Sequence, residues 1–186
     1  FAPRFDFAWD YEPGSEPKLL VTRVPRRSMA EQAGLKRGDR IVSVNALPIT
    51  SKALLPAAAL QAETELMLVV ERADPPGQVE IELPLAGGPV RLGLSWRDDP
   101  AEPNSAYVTR VVPYSPADQA GIKLLDRVHA LNGEPIAGQA DFLAKVRELL
   151  ATDAQSLRLE IESDGLVTEK EVSFQLPTES EHDATL

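Results

Sequence analysis

The chain of 186 residues has no cysteine, only two histidines and only 5% aromatic residues. Without cysteine there are no disulfides, no thiolate chemistry and no Cys-ligated zinc; the lack fits cytoplasm and bacterial periplasm equally. With His129 inside the chain and His182 near its end, a Ser-His-Asp triad has little material. Gly-x-Ser-x-Gly, His-Glu-x-x-His and Gly-Lys-Ser/Thr do not occur, so the common hydrolase, metalloprotease and nucleotide-binding signatures are missing. No apolar run approaches the ~20 residues of a membrane helix. Basic residues are also scarce, with 19 Lys and Arg against 29 Asp and Glu, for a net charge of -10. Clustered cations occur only at Arg26–Arg27 and Lys36–Arg37, too little for a phosphate backbone. No nucleic-acid partner, membrane insertion, cofactor or metal is expected. The chain begins at Phe1 rather than Met, which reads as a processed or excised piece.

What is present is a duplication. The segment Val21–Ile49 aligns without gaps on Val108–Ile136, with 15 identities in 29 positions. Val-Thr-Arg-Val, Gln-Ala-Gly, Asp-Arg and Pro-Ile recur in the same order. At the same offset of 87, Arg4–Asp10 falls on Arg91–Arg97, and Trp9 coincides with Trp96. Further on, Leu66, Leu68 and Val70 match Leu157, Leu159 and Ile161 at an offset of 91. The second copy has therefore gained four residues, expected in or after its longer helix. A period near 90 is too long for a solenoid unit and suits a small domain. The expected organisation is a first domain at 1–86, a second at 87–177 and a polar, disordered tail at 178–186.

Within each copy the pattern is mixed. Phe5, Phe7, Trp9 and Leu92, Leu94, Trp96 alternate as strands do, and Val21–Val24 and Val108–Val112 form a second, β-branched strand. Ser115-Pro116 followed by Gly121 predicts a short capped helix. The runs ending at Asn45 and Asn132-Gly133 are strands entering turns. Gly138–Leu150 predicts an amphipathic helix, with Phe142, Val146 and Leu149 on one face. Pro56 in the first copy sets the start of a shorter helix or kinks a longer one. Two closing strands per copy, Leu66–Glu71 with Val79–Leu83 and Leu157–Glu162 with Glu169–Leu176, complete the pattern. Each copy is thus an α+β unit, a small, partly open β-barrel or sandwich of five to six strands with one short and one longer helix.

The string Ser-Pro-Ala-x-x-Ala-Gly-Ile at Ser115–Ile122, then Asp126-Arg127-Val128, then Asn132-Gly133-x-Pro-Ile, resembles the PDZ domain. The likeness is to the bacterial form carried by HtrA-type serine proteases, site-2-type metalloproteases and tail-specific proteases, and the two copies cover residues 5–176. The resemblance implies a non-catalytic module that captures an extended peptide, C-terminal or internal, by strand addition beside the longer helix. It implies a place in a larger envelope protein, in the periplasm or cell envelope, as a regulatory or substrate-recognition part. In the second copy it points to Leu92, Gly93, Leu94 and Ser95 as the carboxylate loop and to Gln139, Leu143 and Val146 as the helix face of the groove. In the first copy the corresponding positions are Phe5, Asp6, Phe7 and Ala8, with Lys52 on the helix. Asp6 would set a negative charge where a carboxylate belongs, so this groove is expected to be degenerate. In the second copy Leu124-Leu125 replaces Arg37-Gly38, losing a turn glycine and exposing two leucines.

Other features read as structural. Trp9 and Trp96 are expected in packing, His129 as a half-buried structural histidine, and Arg23 and Arg110 on a solvated face or paired with Asp39 and Asp126. The Glu181-His182-Asp183 string is read as part of the tail rather than as a metal site. The alternative to peptide capture is a structural scaffold with occluded grooves. An enzyme would need a cleft of perturbed ionisable groups, for which the sequence offers no candidate cluster.

Overall fold

The computed structural model describes residues 4–177 and divides the chain into two compact units. The second unit is Val90–Gln175; the first holds the described residues before it together with Leu176 and Pro177. In the first unit the elements are β1 (Ala8–Glu12), β2 (Lys18–Arg23), α1 (Met29–Gln32), β3 (Arg40–Val44), β4 (Leu47–Pro48), α2 (Leu54–Gln61), β5 (Glu65–Ala73) and β6 (Pro76–Pro84). In the second they are β7 (Leu94–Asp99), β8 (Glu102–Val111), α3 (Pro116–Gln119), β9 (Arg127–Leu131), β10 (Glu134–Pro135), α4 (Gln139–Leu150), β11 (Ser156–Ser163) and β12 (Leu166–Ser173).

Both units build the same open antiparallel sheet. The order is β1-β2-β3-β5-β6 in the first and β7-β8-β9-β11-β12 in the second, with β4 on β3 and β10 on β9. Neither sheet closes on itself, so β1 and β7 each keep one edge without a strand partner among the described residues. Alternation fixes which face is buried: Leu66, Leu68 and Val70 of β5, and Leu157, Leu159 and Ile161 of β11, all point into their cores. The two cores are separate clusters, one around Leu19, Ile41, Leu55 and Leu68, the other around Val108, Val128, Phe142 and Leu159.

The short helices are capped as the sequence predicts. The Ser28 and Ser115 hydroxyl oxygens accept from the N–H of Glu31 and Asp118, and Pro116 stands at the first helical position. Gly34 and Gly121 follow in left-handed conformations.

The long helices diverge. α4 has 12 residues and α2 has 8. α4 buries Phe142 and Val146 and leaves its polar side in water. α2 buries six of its eight residues, including Ala57, Ala58 and Ala59, and is apolar on all sides. Pro56 falls in the first turn of α2, where it costs no helical hydrogen bond. One expected strand end is corrected: β12 stops at Ser173, and Leu176 packs against the core of the first unit. The Glu181-His182-Asp183 string lies outside the described residues.

Candidate functional site

In the second unit the exposed edge of β7 runs beside α4, which packs against both β7 and β8. In the first unit α2 instead packs against β3 and β5, in the middle of its sheet. A cleft between an unpaired strand and an amphipathic helix is what an added strand requires: main-chain donors and acceptors on one wall, side chains on the other.

The loop that leads into β7 is fixed tightly. Gly93 has φ +83, and a Cβ there would stand 2.1 Å from both Cβ and Oγ of Ser115, so only glycine fits. The Leu92 carbonyl accepts from the Ala117 N–H at 3.1 Å, and the Gly93 carbonyl accepts from the Val112 N–H at 2.8 Å. Leu92 is buried in the core, Leu94 is half-buried against it, and Ser95 is exposed on the edge strand. Trp96 lies over Phe142 of α4, ring centroids 4.7 Å apart. Its indole Nε1–H is buried with no hydrogen-bond partner.

Of the helix residues singled out from sequence, Gln139 is exposed at the first position of α4 and Leu143 is half-buried. Val146 is only 3% exposed and belongs to the core with Phe142. Near the end of β7, the Asp98 carboxylate accepts from the Gln139 N–H, a link from β7 to α4. That link supplies the helix cap that Gly138 lacks. Sequence reasoning missed it because the partners are 41 residues apart. The Asp141 carboxylate caps from within, accepting from the Ala137 N–H at 3.0 Å. That bond first, and Lys145 after it, hold the Asp141 carboxyl below the usual range.

The same positions in the first unit are arranged differently. Asp6, the counterpart of Gly93, turns its carboxylate onto α1 and accepts from the N–H of Met29 at 2.7 Å and of Ala30 at 3.1 Å. Phe7 is buried, Phe5 stacks on it at 5.0 Å, Ala8 opens β1 exposed, and Lys52 is exposed before α2. Arg4 is 4% exposed. Its guanidinium donates to the carbonyls of Ala59, Ala62, Glu63, Ala86 and Gly87. Burial pulls the Arg4 pKa down and Glu63 pushes it back up, so the charge is spent on the C-terminal end of α2. Tyr11, the counterpart of Asp98, donates its hydroxyl to the Thr50 carbonyl at 3.4 Å.

Arg23 and Arg110 are both exposed on their strands, as the solvated-face alternative expects. Asp39 is held by Arg72, at 2.6 and 2.8 Å, rather than by Arg23; the bond to Asp39 raises the Arg72 pKa. Asp126 accepts from the Ser163 hydroxyl at 2.6 Å and the Lys123 N–H at 2.8 Å. His129 is half-buried, with Nε2 2.8 Å from a Glu162 oxygen.

Two tandem α+β units, each an open sheet with a short capped helix and a longer one, define a modular binding fold. The PDZ domain model matches residues 20–72 and 107–163, together more than half of the chain. The chain belongs to the PDZ family, whose members are peptide-binding, protein-interaction modules. It is 25% identical over 170 residues to the Na(+)/H(+) exchange regulatory cofactor NHE-RF1 of Gallus gallus, which covers 71% of this chain and 51% of that protein. It is 24% identical over 184 residues to NHE-RF2 of Mus musculus, covering 69% and 54%. The chain thus spans about half the length of these curated relatives. A solved PDZ domain protein from Parabacteroides distasonis aligns over 91% of this chain and 96% of its own, with 9% identity and a TM-score of 0.38.

Proposed function

We propose that the second unit captures the C-terminal end of a protein partner by strand addition on β7, and that the first unit supports it without binding such a terminus. The observation that carries this reading is the placement of α4 beside the unpaired edge of β7, below a loop that only Gly93 can make. Leu92 and Leu94 line the head of the cleft, Ser95 offers its main chain at the edge, and Gln139 and Leu143 face it from α4. Val146 supports that wall from the core. In the first unit most of α2 is buried, Arg4 is spent on carbonyls and Asp6 on α1. Those three features favour the scaffold reading for that unit.

The module acts as a regulatory or substrate-reading part of a larger protein, a role in keeping with relatives named as regulatory cofactors. The narrower reading, a part of a bacterial envelope protease, rests on the motif likeness in the second copy.

Titration of the full chain with a C-terminal peptide array, each peptide paired with its C-terminally amidated form, tests the proposal. Binding that needs the free carboxylate and is lost in Gly93→Asp, but not in Asp6→Asn, is expected. Carboxylate-dependent binding that survives Gly93→Asp would refute it.

A further inference from the structure

The second unit carries an exposed, strained apolar feature that the groove does not use. Leu124 and Leu125 are 61% and 68% exposed, and Leu125 has φ +72. The first unit builds the same turn with Arg37 and Gly38, the glycine at φ +92. Leucine in this conformation is disfavoured by sterics, and two exposed leucines gain nothing from burial. The turn persists because its surroundings hold it. The buried Asp126 carboxylate accepts from the Lys123 N–H and the Ser163 hydroxyl, and the Leu125 N–H donates to the Val108 carbonyl at 2.9 Å.

Beside it lies a cavity of about 540 Å³, lined by Leu125 and Tyr107 on its apolar side and by Asp99, Glu162 and Asp164 on its acidic side. One cation, Arg127, shares that lining and bonds Asp99 at 3.2 Å. The lining therefore holds three carboxylates against one guanidinium. Leu166 and Val167, 71% and 54% exposed, follow Asp164 and Gly165 on the same hairpin.

We propose that this face is a second interaction surface, taking a protein segment with a basic side chain flanked by aliphatic ones. The cation enters the cavity toward Glu162 and Asp164, and the aliphatic residues cover Leu124 and Leu125. Opposite charge selects the partner, and desolvation of the leucines contributes the affinity. The site shares with the groove strand only Asp99, the last residue of β7, and uses neither the head loop nor α4, so it stands or falls apart from the groove.

The probes are acetyl-Leu-Arg-Leu-amide and its acidic counterpart acetyl-Leu-Glu-Leu-amide, both lacking a free carboxyl terminus. Each is titrated into the ¹⁵N-labelled full chain. The expected result is a saturable response of the Tyr107, Leu125 and Asp164 amides to the basic peptide only. It should weaken at least tenfold in Glu162→Gln/Asp164→Asn and severalfold in Leu125→Gly, and weaken as salt rises. Should the double variant misfold, Leu125→Gly and the salt dependence carry the test. The proposal is overturned by equal responses to both peptides, by shifts confined to β7 and α4, or by no response up to the solubility limit. It is also overturned if the basic peptide is silent while zinc chloride perturbs Glu102, His129 and Glu162, whose donor atoms lie within 4.8 Å of one another; the cluster would then be a metal site.

Discussion

The two units share a sheet order, capping serines and a helix pair, yet they join the head loop to the short helix by different groups. In the second, a main-chain carbonyl, Leu92 O, takes the Ala117 N–H, and Gly93 closes against Ser115. In the first, the Asp6 side chain takes the equivalent Ala30 N–H and that of Met29 as well. One copy holds the loop by its own main chain; the other commits a carboxylate to holding it. A duplicated scaffold can therefore keep its core and change its head by altering which atom makes one bond.

The largest expected effect comes from exchanging these heads. Gly93→Asp should cost the second unit about 2–4 kcal/mol through overlap with Ser115 and a strained φ. Asp6→Gly should cost the first about 1 kcal/mol, the value of a lost cap. Urea titration followed at Trp96 and Trp9, with each tryptophan replaced in turn by Phe, separates the units. Equal losses would mean that the two loops are held in the same way after all.

Next come the buried aspartates. Arg72→Ala leaves Asp39, which is 2% exposed, with the Lys36 N–H but without its cation, and should cost about 3 kcal/mol. Ser163→Ala removes a neutral donor from Asp126 and should cost about 1 kcal/mol. A loss on Ser163→Ala as large as on Arg72→Ala would show that the ion pair adds nothing beyond a hydrogen bond. The turn exchange is smaller and of opposite sign in the two units. Leu125→Gly should stabilise by roughly 0.5–1 kcal/mol, since relief of the left-handed leucine outweighs added chain entropy. Gly38→Leu should destabilise by a similar amount, read from the same melts.

The smallest contrast is with acid. The Asp99 carboxyl is held low, first by the Ala101 N–H and then by Arg127, and Asp141 is held low by the Ala137 N–H. Both contribute stability above their unfolded pKa that is lost as pH falls through the folded one. Glu65 in the first unit is pushed up by Glu82, a penalty that disappears as pH falls through its folded and then its unfolded pKa. Between about pH 5 and pH 3, the second unit should therefore lose more stability than the first. Melting curves across that range check the sign.

Much of this was legible in the sequence because it is local or periodic. Alternation at Leu157, Leu159 and Ile161, the Ser115-Pro116 cap and the positive φ of Asn132 and Gly133 each need only a few neighbouring residues. The duplication supplied an internal alignment, and the lost glycine at Leu125 was visible as a difference between copies. What was not legible depends on partners distant along the chain. Asp98 meets Gln139, Arg72 meets Asp39, and Arg4 meets five carbonyls from two segments. Val146, expected on the groove face of α4, lies in the core with Phe142, because a helical period shows a face but not which of its residues the sheet covers.

The contact between Gly93 and Ser115 has a consequence for how such a pair of copies can drift. Asp6 does not share the left-handed backbone of Gly93, and Pro116 offers no N–H where Met29 does. Neither head can be turned into the other by one substitution without passing through a form that fits neither. The loop, its backbone state and the first residue of the short helix must change together, so the divergence of the two copies is epistatic and hard to reverse.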